Sequence, residues 1–180
     1  NHAAEYGITI GAPKADFGAV VKRSRDVANG MSKGVQFLMK KNNITVITGF
    51  GKLLAKGKVE VDNEGKKETH DAKNIILATG ARERQLPTLP IDGKKIIGYH
   101  EAMVLPTQPK SMVVVGSGAI GCEFAYFYNA MGTKVTIVEY LPNILPIEDE
   151  EVSKNLEKIY KKYGINVMTS SSVESVDTSG

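Results

Sequence analysis

The sequence predicts an α/β protein in two parts, the second built on a parallel sheet, and three observations carry that expectation. A strand–helix–strand–helix–strand pattern runs from Ser111 to Met168. A glycine-rich turn, Gly116-Ser117-Gly118-Ala119-Ile120-Gly121, joins its first strand to its first helix. Ahead of both, a crossing segment from Glu83 to Pro109 holds four of the seven prolines and little periodicity.

In chain order, Asp16 to Lys41 reads as a long helix. Val20, Val21, Val27, Met31, Val35, Leu38 and Met39 fall at roughly helical spacing, while Gly30 and Gly34 weaken it locally. Asn43 to Phe50 is expected as a short strand because Ile44-Thr45-Val46-Ile47-Thr48 is β-branched throughout. A charged hairpin should follow, from Lys58 through a turn at Asp62 to Gly65 and on to His70. Asn74-Ile75-Ile76-Leu77-Ala78 is the most apolar strand candidate of this half and runs into Thr79-Gly80. A short helix is expected around His100 to Leu105, and a domain boundary near Thr107. Beyond it come strand Ser111 to Val115, helix Ala119 to Met131, strand Lys134 to Glu139, helix Glu148 to Tyr163 and strand Asn166 to Met168. Met112 to Val115 is apolar enough for a strand buried on both faces.

Bulk properties narrow the possible partners. A chain of 180 residues can bury one sizeable core or two small ones. Its net charge of +3 is too small and dispersed to argue for nucleic acid or an anionic membrane. No apolar run approaches the roughly 18 residues of a membrane span, and no signal-peptide pattern opens the chain. Cys122 is the sole cysteine, which precludes an internal disulfide or a multi-cysteine metal site and fits a reducing, cytoplasmic setting. Asn1 at the start and a stop just after a strand-like run suggest a piece of a longer protein.

The chemistry concentrates at the glycine turn. Gly116 permits a tight turn, Gly118 lets the backbone approach a pyrophosphate, and Gly121 allows close packing of helix on strand. Free N–H groups at the helix start would face the phosphates. Glu139 ends the next strand, 23 residues after Gly116, where an acid should accept hydrogen bonds from the adenosine ribose hydroxyls. Its charge would disfavour a 2′-phosphate, so the unit is expected to prefer NAD to NADP.

Other residues compete less strongly for a role. Cys122 reads as a small residue packed against the sheet, the alternative being a thiol of lowered pKa near a helix start. Glu123 is open between a cofactor contact and a complement to the helix dipole. Ala125, Phe127, Tyr128 and Met131 read as packing. Thr79-Gly80 and Gly49-Phe50-Gly51 could each let a ligand pass close to the backbone, or could be plain bends or a β-bulge. His2, His70 and His100 lack metal-ligand spacing, and the run from Lys158 to Lys162 reads as a solvated helix face. Neither a hydrolytic triad nor a Walker-type lysine is present.

From about Phe17 to Ser179 the sequence resembles the middle of the dihydrolipoyl dehydrogenases, flavin-dependent pyridine nucleotide-disulfide oxidoreductases. The block Val113 to Glu139, the segment Ile144-Leu145-Pro146 with the acidic run Glu148 to Glu151, and Ile76-Leu77-Ala78-Thr79-Gly80 carry the resemblance in this order. It implies parts of two Rossmann-like FAD/NAD(P)-binding domains, with a β-meander in the first. Residues 1–107 would be a partial FAD-binding domain and 108–180 a partial NAD-binding domain. Gly116, Gly118 and Gly121 then look like NAD pyrophosphate glycines and Glu139 like the ribose acid. Ile120 and Glu123 match positions near the nicotinamide end, Thr79 and Gly80 a motif passing beside FAD, and Gly51 a contact to its adenine portion.

The implied activity is oxidation of protein-bound dihydrolipoyl groups with electrons passing through FAD to NAD. The implied partners are lipoyl domains of 2-oxo acid dehydrogenase or glycine cleavage complexes, in a full-length homodimer. The first FAD fingerprint, the redox cysteine pair and the His-Glu catalytic pair of these enzymes have no counterparts here. The 180 residues alone are therefore expected to be inactive, and none of them is a catalytic candidate. Open alternatives are a soluble transhydrogenase, a disulfide reductase, or a non-catalytic nucleotide-binding module.

Overall fold

A computed structural model describes residues 3–9, 11 and 14–179. The predicted histidine at position 2 lies outside them. Two compact units are present, Arg25–Arg82 and the remainder of the described chain.

Helix α1 spans Phe17–Lys41. It starts where the Asp16 carboxylate accepts the Ala19 N–H at 3.0 Å, an N-cap that satisfies one orphan donor of the first turn. Gly30 and Gly34 do not interrupt it. Phe17 is buried and Val21 packs near it, but Val27, Met31, Val35 and Leu38 are exposed among the described residues.

Within Arg25–Arg82 the sheet is an antiparallel meander of β1 (Phe50–Ala55), β2 (Lys58–Asn63) and β3 (Lys66–Asp71). The hairpin falls where expected, since Asp62 accepts the Gly65 N–H at 2.8 Å and closes its turn. Two strand expectations are corrected. Ile44 to Thr48 and Asn74 to Ala78 form no strand, and Ile76 and Leu77 are largely exposed. A strand exists only with a neighbour to complete its ladder, and no described strand lies beside either run. Conversely, β1 was not foreseen. Its burial pattern has no alternation, and pairing with β2 creates it. Gly49 precedes it at a bend where a Cβ would meet Val61 Cγ1 at 2.6 Å, a structural reason for glycine.

The other unit follows the pattern closely. Strands β4 (Ser111–Val115), β5 (Lys134–Val138) and β6 (Asn166–Met168) form a parallel sheet in the order β4-β5-β6. A short helix α2 (Tyr99–Ala102) precedes it, and α3 (Ala119–Ala130) and α4 (Glu150–Lys162) connect its strands. Asp149 caps α4 by accepting the Glu151 N–H at 2.8 Å, so that helix begins two residues later than expected.

Stepping in one direction across the sheet with right-handed crossovers puts both helices on one face. Val135 and Ile137 of β5 accordingly pack with Cys122, Ala125 and Tyr128 of α3 and Tyr160 of α4. The Tyr160 hydroxyl donates to the Cys122 carbonyl at 2.9 Å and ties the helices together. That geometry corrects the expectation for β4. Met112 and Val114 pack toward the core, while Val113 and Val115 point to a face left exposed. Phe17 joins this core beside Phe127 and Tyr128, with ring centroids 6.3 and 6.0 Å away.

Candidate dinucleotide site

The turn between β4 and α3 is shaped by its glycines. Gly116 has φ +94°, a conformation that disfavours a side chain, and its N–H donates to Val138 O at 2.9 Å. At Gly121 a Cβ would collide with the Gly116 carbonyl oxygen, so only glycine permits helix and turn to approach this closely. Gly118 differs. It caps α3 in an ordinary extended conformation without a side-chain cap bond, and a Cβ there would meet open space. A helix start without a side-chain cap leaves N–H groups of its first turn for a phosphate to meet. Ile120 and Glu123, in the first turns of α3, are both exposed.

Glu139 follows β5 directly and is only 6% exposed. Its Oε2 accepts the Ser117 N–H at 2.8 Å and the Ser117 hydroxyl at 2.6 Å, and its Oε1 accepts the Leu141 N–H at 2.8 Å. The acid is thus brought against the glycine turn. Burial alone raises its pKa, but the bonds from Leu141 N–H, the Ser117 hydroxyl and N–H, and Tyr140 N–H prevail and hold it below the ordinary 4.5. A folded-state pKa below the unfolded one means that protonation favours unfolding. The stabilisation is therefore complete above about pH 4.5 and lost as pH falls through the folded value. Denaturation midpoints measured across that range should drop less steeply with acid in Glu139→Gln than in the parent.

Ser117 is fully buried and was not singled out in the sequence. Its carbonyl accepts the Leu145 N–H at 2.9 Å and the Cys122 thiol at 3.3 Å. The Ile144-Leu145-Pro146 segment thereby gains a local role. Ile144 is buried in the core, Leu145 adopts φ +47°, and its N–H braces the turn. A serine between glycines with an acid at the next strand end is the only sequence signal that could have flagged Ser117.

Cys122 is buried, as the packing reading expects. Burial, with the negative charges of Glu139 and Glu123 adding to it, pushes its thiol up to about 11, opposite in direction to a thiol activated at a helix start. Against the ordinary value of 9.0 this cuts the thiolate fraction about a hundredfold. At neutral pH a disulfide thiol reagent should react with the folded protein at least about a hundredfold more slowly than with the unfolded chain. Comparable rates would contradict the burial.

In the Arg25–Arg82 unit, Gly51 lies in β1 opposite Val61, and Thr79 and Gly80 lie in the unpaired stretch after β3. A Cβ on Gly51 or Gly80 would meet nothing within 4 Å, leaving their backbone open to a ligand. His70 sits in β3 opposite Val59, and His100 lies against Tyr99 with ring centroids 3.9 Å apart. No group of three or more potential metal ligands occurs among the described residues. None of their helices is long and apolar enough to cross a membrane.

The pattern described as pyridine nucleotide-disulphide oxidoreductase matches residues 4–180. The chain belongs to the pyridine nucleotide-disulphide oxidoreductase family. The parallel sheet and the antiparallel meander are parts of that family's two Rossmann-like regions. A dihydrolipoyl dehydrogenase of Zymomonas mobilis is 46% identical across 97% of this chain, and one of Mycobacterium tuberculosis is 42% identical across 99%. Among solved structures, LpdA from Mycobacterium tuberculosis superposes with a TM-score of 0.88 at 26% identity, over 99% of this chain and 40% of that one. The flavoprotein disulfide reductase RclA from Escherichia coli gives 0.77 at 25% identity, over 98% of this chain and 39% of that one. The chain spans 38% of the length of both dihydrolipoyl dehydrogenases.

Proposed function

We propose that the protein containing this chain oxidises protein-bound dihydrolipoyl groups, passing electrons through FAD to NAD, and that this segment chiefly holds the NAD. The observation that carries the NAD assignment is the Glu139 carboxylate bonded to Ser117 inside the glycine turn. The substrate assignment is supported by the relatives called dihydrolipoyl dehydrogenase, which are 42–46% identical over most of this chain. In this reading residues 108–180 are part of an NAD-binding domain and 1–107 part of an FAD-binding domain. Bound there, NAD supplies the hydride acceptor and FAD the carrier between dithiol and nicotinamide.

The chain's own residues bind and orient. Gly116, Gly118 and Gly121 and the α3 N-terminus receive the pyrophosphate, and Glu139 accepts from the adenosine ribose. Ile120 and Glu123 border the nicotinamide end. Gly51, Thr79 and Gly80 give FAD open backbone to lie against, fitting the empty space at both glycines. The partners are lipoyl domains of a 2-oxo acid dehydrogenase or glycine cleavage complex, and the full-length enzyme is a cytoplasmic homodimer.

The likeness to RclA favours a second reading, a disulfide reductase of other substrate range. The deciding experiment assays the FAD-loaded full-length protein with dihydrolipoamide and NAD, followed as NADH absorbance. Turnover is expected there and none with the 180-residue polypeptide alone. Inactivity of the full-length protein toward dihydrolipoamide, with another disulfide substrate turned over, would establish the second reading instead.

A further inference from the structure

We propose that Ser117 is a positioning residue for cofactor choice, acting through Glu139, an inference that rests on Glu139 being the ribose acid. Every polar atom of Ser117 is committed. Its N–H and hydroxyl hold Glu139 Oε2 at 2.8 and 2.6 Å, and its carbonyl takes the Leu145 N–H and the Cys122 thiol. One buried residue thus joins the glycine turn, the end of β5, the loop before α4 and the first turn of α3.

The consequence for Glu139 is geometric. A carboxylate has about four lone-pair sites. Ser117 occupies two on Oε2, and Leu141 N–H occupies one on Oε1. The plane of the carboxylate is therefore fixed before any cofactor arrives, and Oε2, holding both Ser117 bonds, has no further capacity for a ribose hydroxyl. The charge is fixed as well, because these bonds and the neighbouring Tyr140 N–H all favour the anion. A glutamate held in one plane and kept ionised repels a 2′-phosphate, whereas one free to turn aside or take a proton accommodates it. Discrimination is accordingly a property of the Ser117–Glu139 pair. A serine that merely satisfied a buried cavity would stabilise the fold without touching cofactor choice.

The test uses the full-length, FAD-loaded enzyme carrying Ser117→Ala, Ser117→Thr or Glu139→Ala, with kcat and KM measured for NAD and NADP across pH. Ser117→Ala is expected to raise KM for NAD about tenfold or more while kcat falls less, the scale of one lost hydrogen bond to a charged group. It should also narrow the NAD/NADP ratio of kcat/KM and move the acid limb of the NAD profile to higher pH. Ser117→Thr, which keeps the hydroxyl, should restore all three. Ser117→Gly deletes the hydroxyl without adding an atom and gives the same readout if the alanine variant does not accumulate. An unchanged ratio and acid limb in the serine deletions, with a changed ratio in Glu139→Ala, overturns the proposal and leaves the ribose assignment standing. A ratio unchanged in Glu139→Ala as well overturns both.

Discussion

Gly121→Ala is expected to destabilise the parallel-sheet unit by about 2 kcal/mol or more, the upper part of the range for overpacking a tight interior. The added Cβ falls on the Gly116 carbonyl oxygen, with the Gly116 carbonyl carbon and Val114 Cγ1 each 3.3 Å away. Backbone atoms cannot rotate out of the way as a side-chain end does. Relief requires α3 to lift from the turn, and that movement strains the Gly116 N–H bond to Val138 and the Ser117 bonds to Glu139. Stability and cofactor binding should fall together. Thermal unfolding of the full-length variant with and without NAD checks this, and an unshifted midpoint would contradict the close approach.

Gly118→Ala should separate those two effects. Its backbone is in a region open to any residue and its Cβ would meet nothing within 4 Å, so the change should cost only the difference between glycine and alanine at a helix cap, about 0.5–1 kcal/mol. The space the methyl enters is, however, the space assigned to the pyrophosphate. A displacement of about 1 Å at a reacting complex can cost about a hundredfold in rate, and a loss of kcat/KM for NAD approaching that is expected. Thermal midpoint and NAD kinetics measured on the same preparation give the contrast. A variant that is stable and fully active with NAD would place the phosphate elsewhere.

The parallel unit was legible in the sequence because its strands find their neighbours within the chain. Ser111–Val115 and Asn166–Met168 match residue for residue, and Lys134–Val138 ends one residue early. Ile44 to Thr48 and Asn74 to Ala78 carry equally good strand composition but pair with nothing described. Composition states a preference for extended backbone, and the ladder decides whether a strand forms. The exposed face of β4 was missed for a related reason. The apolar run Met112 to Val115 signals two covered faces, while the strand order supplies helices to one. At the candidate site, spacing alone points to Gly116, Gly118, Gly121 and Glu139, and the structure brings Glu139 against the glycine turn. Spacing does not point to Ser117, because a small polar residue between glycines reads as a spacer until Glu139 is seen folded against it.

We propose that Gly116 to Glu139 form a site selecting NAD through the charge on Glu139. Its most direct test is the ratio of kcat/KM for NAD and NADP in the full-length enzyme, compared with the ratio in Glu139→Ala. Removing the carboxylate deletes the acceptor for the ribose and the repulsion of a 2′-phosphate, so NAD use should weaken and the ratio contract about tenfold or more. A ratio that stays the same would show that Glu139 does not face the cofactor.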